Sequence, residues 1–80
     1  MLNITNHDNG IREIQLARPP VNALNLELLR ALHAALDDAV QGGVRGIVLS
    51  GAQGLFSAGV DVPALLGRDR AGVREYWREF

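Results

Sequence analysis

Few residues in this chain have types and spacing suited to chemistry. The two histidines, His7 and His33, have no second ligand at metal-binding spacing, and cysteine is absent, so no metal site is expected. Ser50 and Ser57 flank a glycine-rich stretch, but neither lies in a Gly-x-Ser-x-Gly elbow and no histidine is near them, so neither reads as a nucleophile. Among the nine carboxylates, only Asp61 falls within that stretch. It reads as an N-cap for a helix beginning near Pro63, with general base as the competing role.

The stretch itself, Gly51-Ala52-Gln53-Gly54-Leu55-Phe56-Ser57-Ala58-Gly59-Val60-Asp61, contains neither GxGxxG nor a P-loop Gly-Lys-Ser/Thr. Its glycines serve a tight loop that needs positive φ. One feature is suited to catalysis. A bend at Ala58-Gly59-Val60, between a buried strand and a helix, can leave a backbone N–H unpaired and facing a pocket, where it could bind a developing oxyanion.

The elements that must position this loop can be read from periodicity. Leu2 and Ile4, then Ile14 and Leu16, alternate with polar residues on either side of Asn9-Gly10, which predicts a β-hairpin over residues 2–5 and 11–17. Two prolines, Pro19 and Pro20, make the segment from Arg18 to Leu24 a loop. Asn25 is a good N-cap. After it, Leu28, Leu29, Leu32, Leu36 and Val40 share one helical face with Ala35 and Ala39 beside them, until Gly42-Gly43 ends the helix. Residues 44–50 carry the run Ile47-Val48-Leu49, which predicts a strand buried on both faces and therefore parallel. A short helix is expected from Pro63 to Leu66. Asp69 is positioned to cap a last helix with Val73, Tyr76, Trp77 and Phe80 on one face. The fold class is α/β, a ββαβ unit, with the glycine loop at the carboxyl end of a parallel strand, where such folds often bind ligands. The last helix has little to pack against within 80 residues, so the sequence reads as the N-terminal piece of a longer protein, stopping in mid-helix.

Composition sets outer limits. With 48% hydrophobic and 21% charged residues, the chain is too apolar for disorder. Eight basic residues against nine acidic ones, a net charge of −1, argue against nucleic acid as a partner. No apolar run approaches the ~18 residues of a membrane span, and the N-terminus lacks the basic start and apolar core of a secretory signal. Membrane is therefore not an expected partner, and the expected location is cytoplasmic.

Two motifs carry a resemblance. Leu55-Phe56-Ser57-Ala58-Gly59-Val60-Asp61-Val62, following Arg45-Gly46-Ile47-Val48-Leu49-Ser50-Gly51, resembles the signature of the crotonase (enoyl-CoA hydratase/isomerase) superfamily, and Pro20-Val21-Asn22-Ala23-Leu24-Asn25 resembles its earlier motif in the matching order. The resemblance spans essentially residues 1–80 and implies the N-terminal ββα portion of a spiral fold that ends in a helical trimerisation region. It implies an acyl-CoA thioester as the partner, with coenzyme A entering as part of the substrate and no separate cofactor. It also implies a homotrimer or hexamer in the full-length protein. By motif position, the backbone N–H of Val60 would be one oxyanion donor. Ala23, Ala58, Gly59, Val60, Asp61 and Val62 would line the acyl-CoA site, with Asp61 mainly structural. Val62 stands where the family often has leucine or isoleucine. The family's second donor and its catalytic carboxylates would lie beyond Phe80.

Pro19-Pro20-Val21-Asn22-Ala23-Leu24 and Leu26-Glu27-Leu28-Leu29, with Tyr76-Trp77, look most like the Δ3,Δ2-enoyl-CoA isomerases, which serve fatty acid β-oxidation. Enoyl-CoA hydratase or another crotonase reaction is the alternative. A non-catalytic fragment is the alternative of a different class.

Overall fold

A computed structural model describes residues 1–80. Strands β1 (Leu2–Asn6) and β2 (Ile11–Leu16) pair antiparallel, with Ile4 opposite Ile14. Their connection is a single 3-10 turn at Asp8–Gly10, one residue longer than the expected Asn9-Gly10 turn. Asn9 and Gly10 both have positive φ, 65° and 75°, and the His7 N–H closes the turn on the Ile11 carbonyl at 2.8 Å. Strand β3 (Gly46–Gly51) adds to β2 in parallel, so the sheet order is β1-β2-β3 with β2 central.

Alternation and register divide the sheet into two faces. Leu2, Ile4, Arg12, Ile14, Leu16, Ile47 and Leu49 share one face. Asn3, Thr5, Glu13, Gln15, Val48 and Ser50 share the other. Helix α1 (Leu26–Gln41) crosses over the apolar face, where the Arg12 guanidinium reaches Asp38 at 3.1 Å. It covers the central strand best. Ile14 and Leu16 are buried, whereas Val48 and Leu49 are 48% and 44% exposed. Strand β3 is thus parallel as expected but not buried on both faces: it is an edge strand, and its polar-side face carries no helix.

Helix α1 begins where expected. The Asn25 side chain accepts from the Leu28 N–H at 2.8 Å. At its other end Gly43 takes φ 72°, the left-handed value a helix stop needs. Its buried stripe is Leu28, Ala35 and Ala39, with Leu26 and Leu29 turned toward the later helices. Val40, expected on that face, is 73% exposed, because the turn that seats Ala39 against the sheet rotates its neighbour outward.

Two further helices follow β3. Helix α2 (Val62–Leu66) is one short turn capped by Asp61, and α3 (Arg70–Glu79) is capped by Asp69, which accepts from the Gly72 N–H at 2.8 Å. Helix α3 returns onto α1. Tyr76 is completely buried against Leu26 and Leu29, and Leu24, Val60 and Leu65 pack around this cluster. The expectation that the α3 aromatics lack a partner therefore holds only for Trp77 and Phe80, which are about half exposed and stack edge-on to each other at 5.5 Å.

Candidate functional site

Two loops leave the same end of the sheet. One follows β2 at Leu16 and the other follows β3 at Gly51, and these two residues are register partners. The Ala52 N–H donates to the Leu16 carbonyl at 2.8 Å, so the loops start side by side at the carboxyl ends of parallel strands.

Asn22 fastens them together. It is fully buried, with φ 54°, a left-handed value that asparagine tolerates. Its Oδ1 accepts from the Arg18 N–H at 2.8 Å. Its Nδ2 donates to the carbonyls of Ala52 at 3.2 Å and Phe56 at 3.1 Å. Ser57 adds a second fastening: its hydroxyl donates to the Asn22 carbonyl at 2.7 Å and accepts from the Gly59 N–H at 3.0 Å. The serine that lacked a catalytic base in the sequence is occupied in holding the loop.

Gly51 permits this close approach. A Cβ there would lie 2.0 Å from the Leu55 carbonyl oxygen and 2.6 Å from the Phe56 Cα. Gly59 has a different reason to be glycine. Its φ is 96°, and the space around it is open, so the backbone conformation alone demands the residue.

Past these ties the loops run as a short parallel bridge between Leu24 and Val60. The Leu24 N–H donates to the Gly59 carbonyl at 2.8 Å, and the Leu24 carbonyl accepts from the Asp61 N–H at 3.1 Å. In a parallel pairing the intervening residue directs its own N–H to the opposite side. The Val60 N–H therefore points away from Leu24, and it donates to no group in the chain. The Val60 side chain packs toward Leu26, Leu29 and Tyr76, so the residue is anchored on one side while its donor stays free.

The structure brings the expected site residues together. Ala23 lies beside the bridge, Ala58 donates its N–H to the Val21 carbonyl at 2.9 Å, and Gly59, Val60 and Asp61 complete the bend. Val62 begins α2 and is about half exposed. A separate apolar depression between α1 and α3, lined by Leu29, Leu32, His33, Leu36, Glu79 and Phe80, includes none of them.

Asp61 is structural in this arrangement. Oδ1 accepts from the Ala64 N–H at 3.2 Å as the cap of α2, and Oδ2 accepts from Arg18 at 2.8 Å. The Ala64 N–H, then Arg18, hold its carboxyl below the usual 3.8, which makes it a poor proton acceptor. The same arginine donates to the Ala23 carbonyl at 2.8 Å.

The chain matches the enoyl-CoA hydratase/isomerase family over residues 6–80. It belongs to that family. Its crotonase fold is shared with the human mitochondrial Δ3-Δ2-enoyl-CoA isomerase, at a TM-score of 0.87 and 32% identity over 98% of this chain and 31% of that one. An enoyl-CoA hydratase from Thermoplasma volcanium is equally similar, at 0.87 and 32% over 98% of this chain and 32% of that one. In sequence, the chain is 38% identical over 71 residues to the mouse mitochondrial enoyl-CoA delta isomerase 1, covering 86% of this chain and 25% of the relative. The crotonase-like chain thus spans about a quarter of that relative's length.

Sequence reasoning missed two residues that fasten these loops. Asn22 stands out in the sequence only as part of a motif, although an asparagine between two apolar residues just after a Pro-Pro pair is a signal for a left-handed turn position. Arg18 stands out in the sequence only as the start of a loop. Its partner Asp61 is 43 residues away, and no local pattern links them.

Proposed function

We propose that residues 1–80 form the acyl-CoA-binding N-terminal part of an enoyl-CoA isomerase, in which the Val60 N–H donates to the thioester carbonyl oxygen. The reading rests on one observation: a loop tied down at Asn22, Ser57 and Asp61 presents an N–H with no acceptor of its own. A backbone donor that the chain leaves free on a well-fastened bend is available to a ligand oxygen, as an oxyanion donor must be.

In this reading a 3-enoyl-CoA loses a proton from C2. The electron pair of that C–H bond delocalises into the carbonyl, and the charge gathers on the oxygen facing Val60. Reprotonation at C4 leaves the double bond between C2 and C3. Asp61 is committed to Ala64 and Arg18, so in this reading another carboxylate carries the proton and a second N–H donor completes the oxyanion site. Coenzyme A enters with the substrate, and no separate cofactor takes part. Isomerase is preferred over hydratase because of the identity to the mouse isomerase and the Pro19-Pro20-Val21-Asn22-Ala23-Leu24 motif.

The test is kinetic, in the active protein. Val60→Pro removes the donor and should lower kcat for 3-enoyl-CoA by about 10²–10³-fold. Val60→Ala keeps it and should stay within a few-fold. A folded Val60→Pro protein with unchanged kcat would sink the oxyanion role. Faster hydration of a 2-enoyl-CoA than isomerisation of a 3-enoyl-CoA would move the assignment to hydratase.

A further inference from the structure

The oxygen of Leu24 is shared. It accepts from the Asp61 N–H, which closes the bridge behind Val60, and it also accepts from the hydroxyl of Tyr76, 52 residues further along the chain than Leu24. Tyr76 is the one fully buried aromatic residue, and this bond satisfies its hydroxyl. Its ring packs with Leu26 and Leu29, the same cluster that receives the Val60 side chain. Helix α3 therefore meets the bridge through the Tyr76 hydroxyl on Leu24 and through the shared cluster against which Val60 packs.

We propose that Tyr76 is a positioning residue for the oxyanion donor: its hydroxyl, by holding the Leu24 carbonyl from the side of α3, sets the plane of the Leu24–Val60 bridge and so the direction of the Val60 N–H. This rests on the oxyanion reading of Val60. The argument is geometric. A peptide plane is rigid, so the Leu24 carbonyl can rotate only together with the N–H of Asn25, the N-cap of α1. Two donors on one carbonyl oxygen restrict that rotation more than one donor does. The opposite strand of the bridge, Gly59 to Asp61, is bonded to Leu24 at both ends, so it follows. Gly59 is the residue with the freedom to let the bend drift, since φ 96° with open surroundings gives it no steric stop. Tyr76 supplies the restraint that Gly59 lacks. Burial raises the phenol's pKa, so the hydroxyl keeps its proton and remains a donor through the neutral and mildly alkaline range.

Tyr76→Phe removes only the hydroxyl and leaves the ring in place. The discriminating measurement is binding of two ligands to the active protein: a saturated acyl-CoA, and a 3-ketoacyl-CoA whose enolate form places negative charge on the thioester oxygen. Wild type should bind the 3-ketoacyl-CoA more tightly. Tyr76→Phe should lose about five- to tenfold of that preference, the size of one oriented hydrogen bond, with saturated acyl-CoA binding unchanged and kcat reduced by a similar factor at constant KM. Equal weakening of both ligands would show a merely structural tyrosine and overturn the inference. An intact preference in Tyr76→Phe would overturn it too, while leaving the role of Val60 standing. A wild type with no preference for the 3-ketoacyl-CoA would instead remove the oxyanion reading on which the inference rests.

Discussion

The side-chain amide of Asn22 donates to the carbonyl of Phe56 at 3.1 Å, joining two loops 34 residues apart. It does so from a site with no solvent exposure, and it donates to Ala52 as well. With the Ser57 hydroxyl on the Asn22 carbonyl, this contact fastens the near end of the bend that carries Val60. Asn22→Ala would leave buried carbonyls without a donor and would keep a non-glycine residue at φ 54°. We expect a loss of about 2–4 kcal/mol, from ~1 kcal/mol or more per orphaned group and ~1–2 kcal/mol of left-handed strain. Urea unfolding of the active protein checks it. A change below about 0.5 kcal/mol would mean that the two loops are held elsewhere.

Gly51→Ala and Gly59→Ala should fail differently. At Gly51 the new methyl would overlap backbone atoms that cannot move without breaking the Asn22 contacts, so the protein should lose cooperative folding or at least about 3 kcal/mol of stability. At Gly59 the methyl meets open space, and the cost is about 1–2 kcal/mol of backbone strain. That strain is relieved by turning the bend, so Gly59→Ala should fold yet show reduced kcat. Circular dichroism and turnover measured on both variants separate the two cases. The pattern reversed, with Gly51→Ala folded and Gly59→Ala unfolded, would contradict the geometry.

Asp61 sets an acid limb. Its carboxyl is held below the ordinary 3.8 in the folded chain, first by the Ala64 N–H and then by Arg18. A depressed carboxylate pKa contributes stability that is present above the unfolded value and lost as pH falls through the folded one. Thermal stability should therefore drop as pH falls below about 4, and Asp61→Asn should flatten that drop. Asparagine still accepts from Ala64, so turnover near neutral pH should stay within a few-fold. If Asp61→Asn abolishes turnover in a folded protein, Asp61 is the proton carrier and its structural assignment is wrong.

The isolated 80-residue chain should self-associate. Only 9 of its 80 residues are buried, while Ile4, Phe56, Leu66, Trp77 and Phe80 are each at least half exposed, and the outer edge of β3 is open to pairing. Sedimentation should show mass rising with concentration, and thermal unfolding should be broad. A monomer with one sharp transition would show that the small core suffices. The same chain should not turn over a 3-enoyl-CoA, since one oxyanion donor supplies about 3–4 kcal/mol of the roughly 8 kcal/mol or more that enzymes need. Measurable turnover by residues 1–80 would refute the need for further groups.

Local signals in the sequence were enough for the elements and for the family. Asn25, Asp61 and Asp69 cap the three helices as their types and positions predict, because capping is a contact between a side chain and the N–H two or three residues later. The third strand, the proline-broken loop and the bend at Gly59 follow equally from neighbours in sequence, whereas the burial of that strand on both faces, from which its parallel pairing is expected, does not hold. Tertiary structure alone decided what depends on distant partners. Val40 turned outward and β3 became an exposed edge because helix coverage, not periodicity, sets burial. Tyr76 found the Leu24 carbonyl, Arg18 found Asp61 and Asn22 found Phe56 only once the chain had folded. The free N–H of Val60 belongs to the same class. Whether a backbone donor is satisfied is a property of every group that could reach it, and the bridge to Leu24 is what turns this one away from all of them.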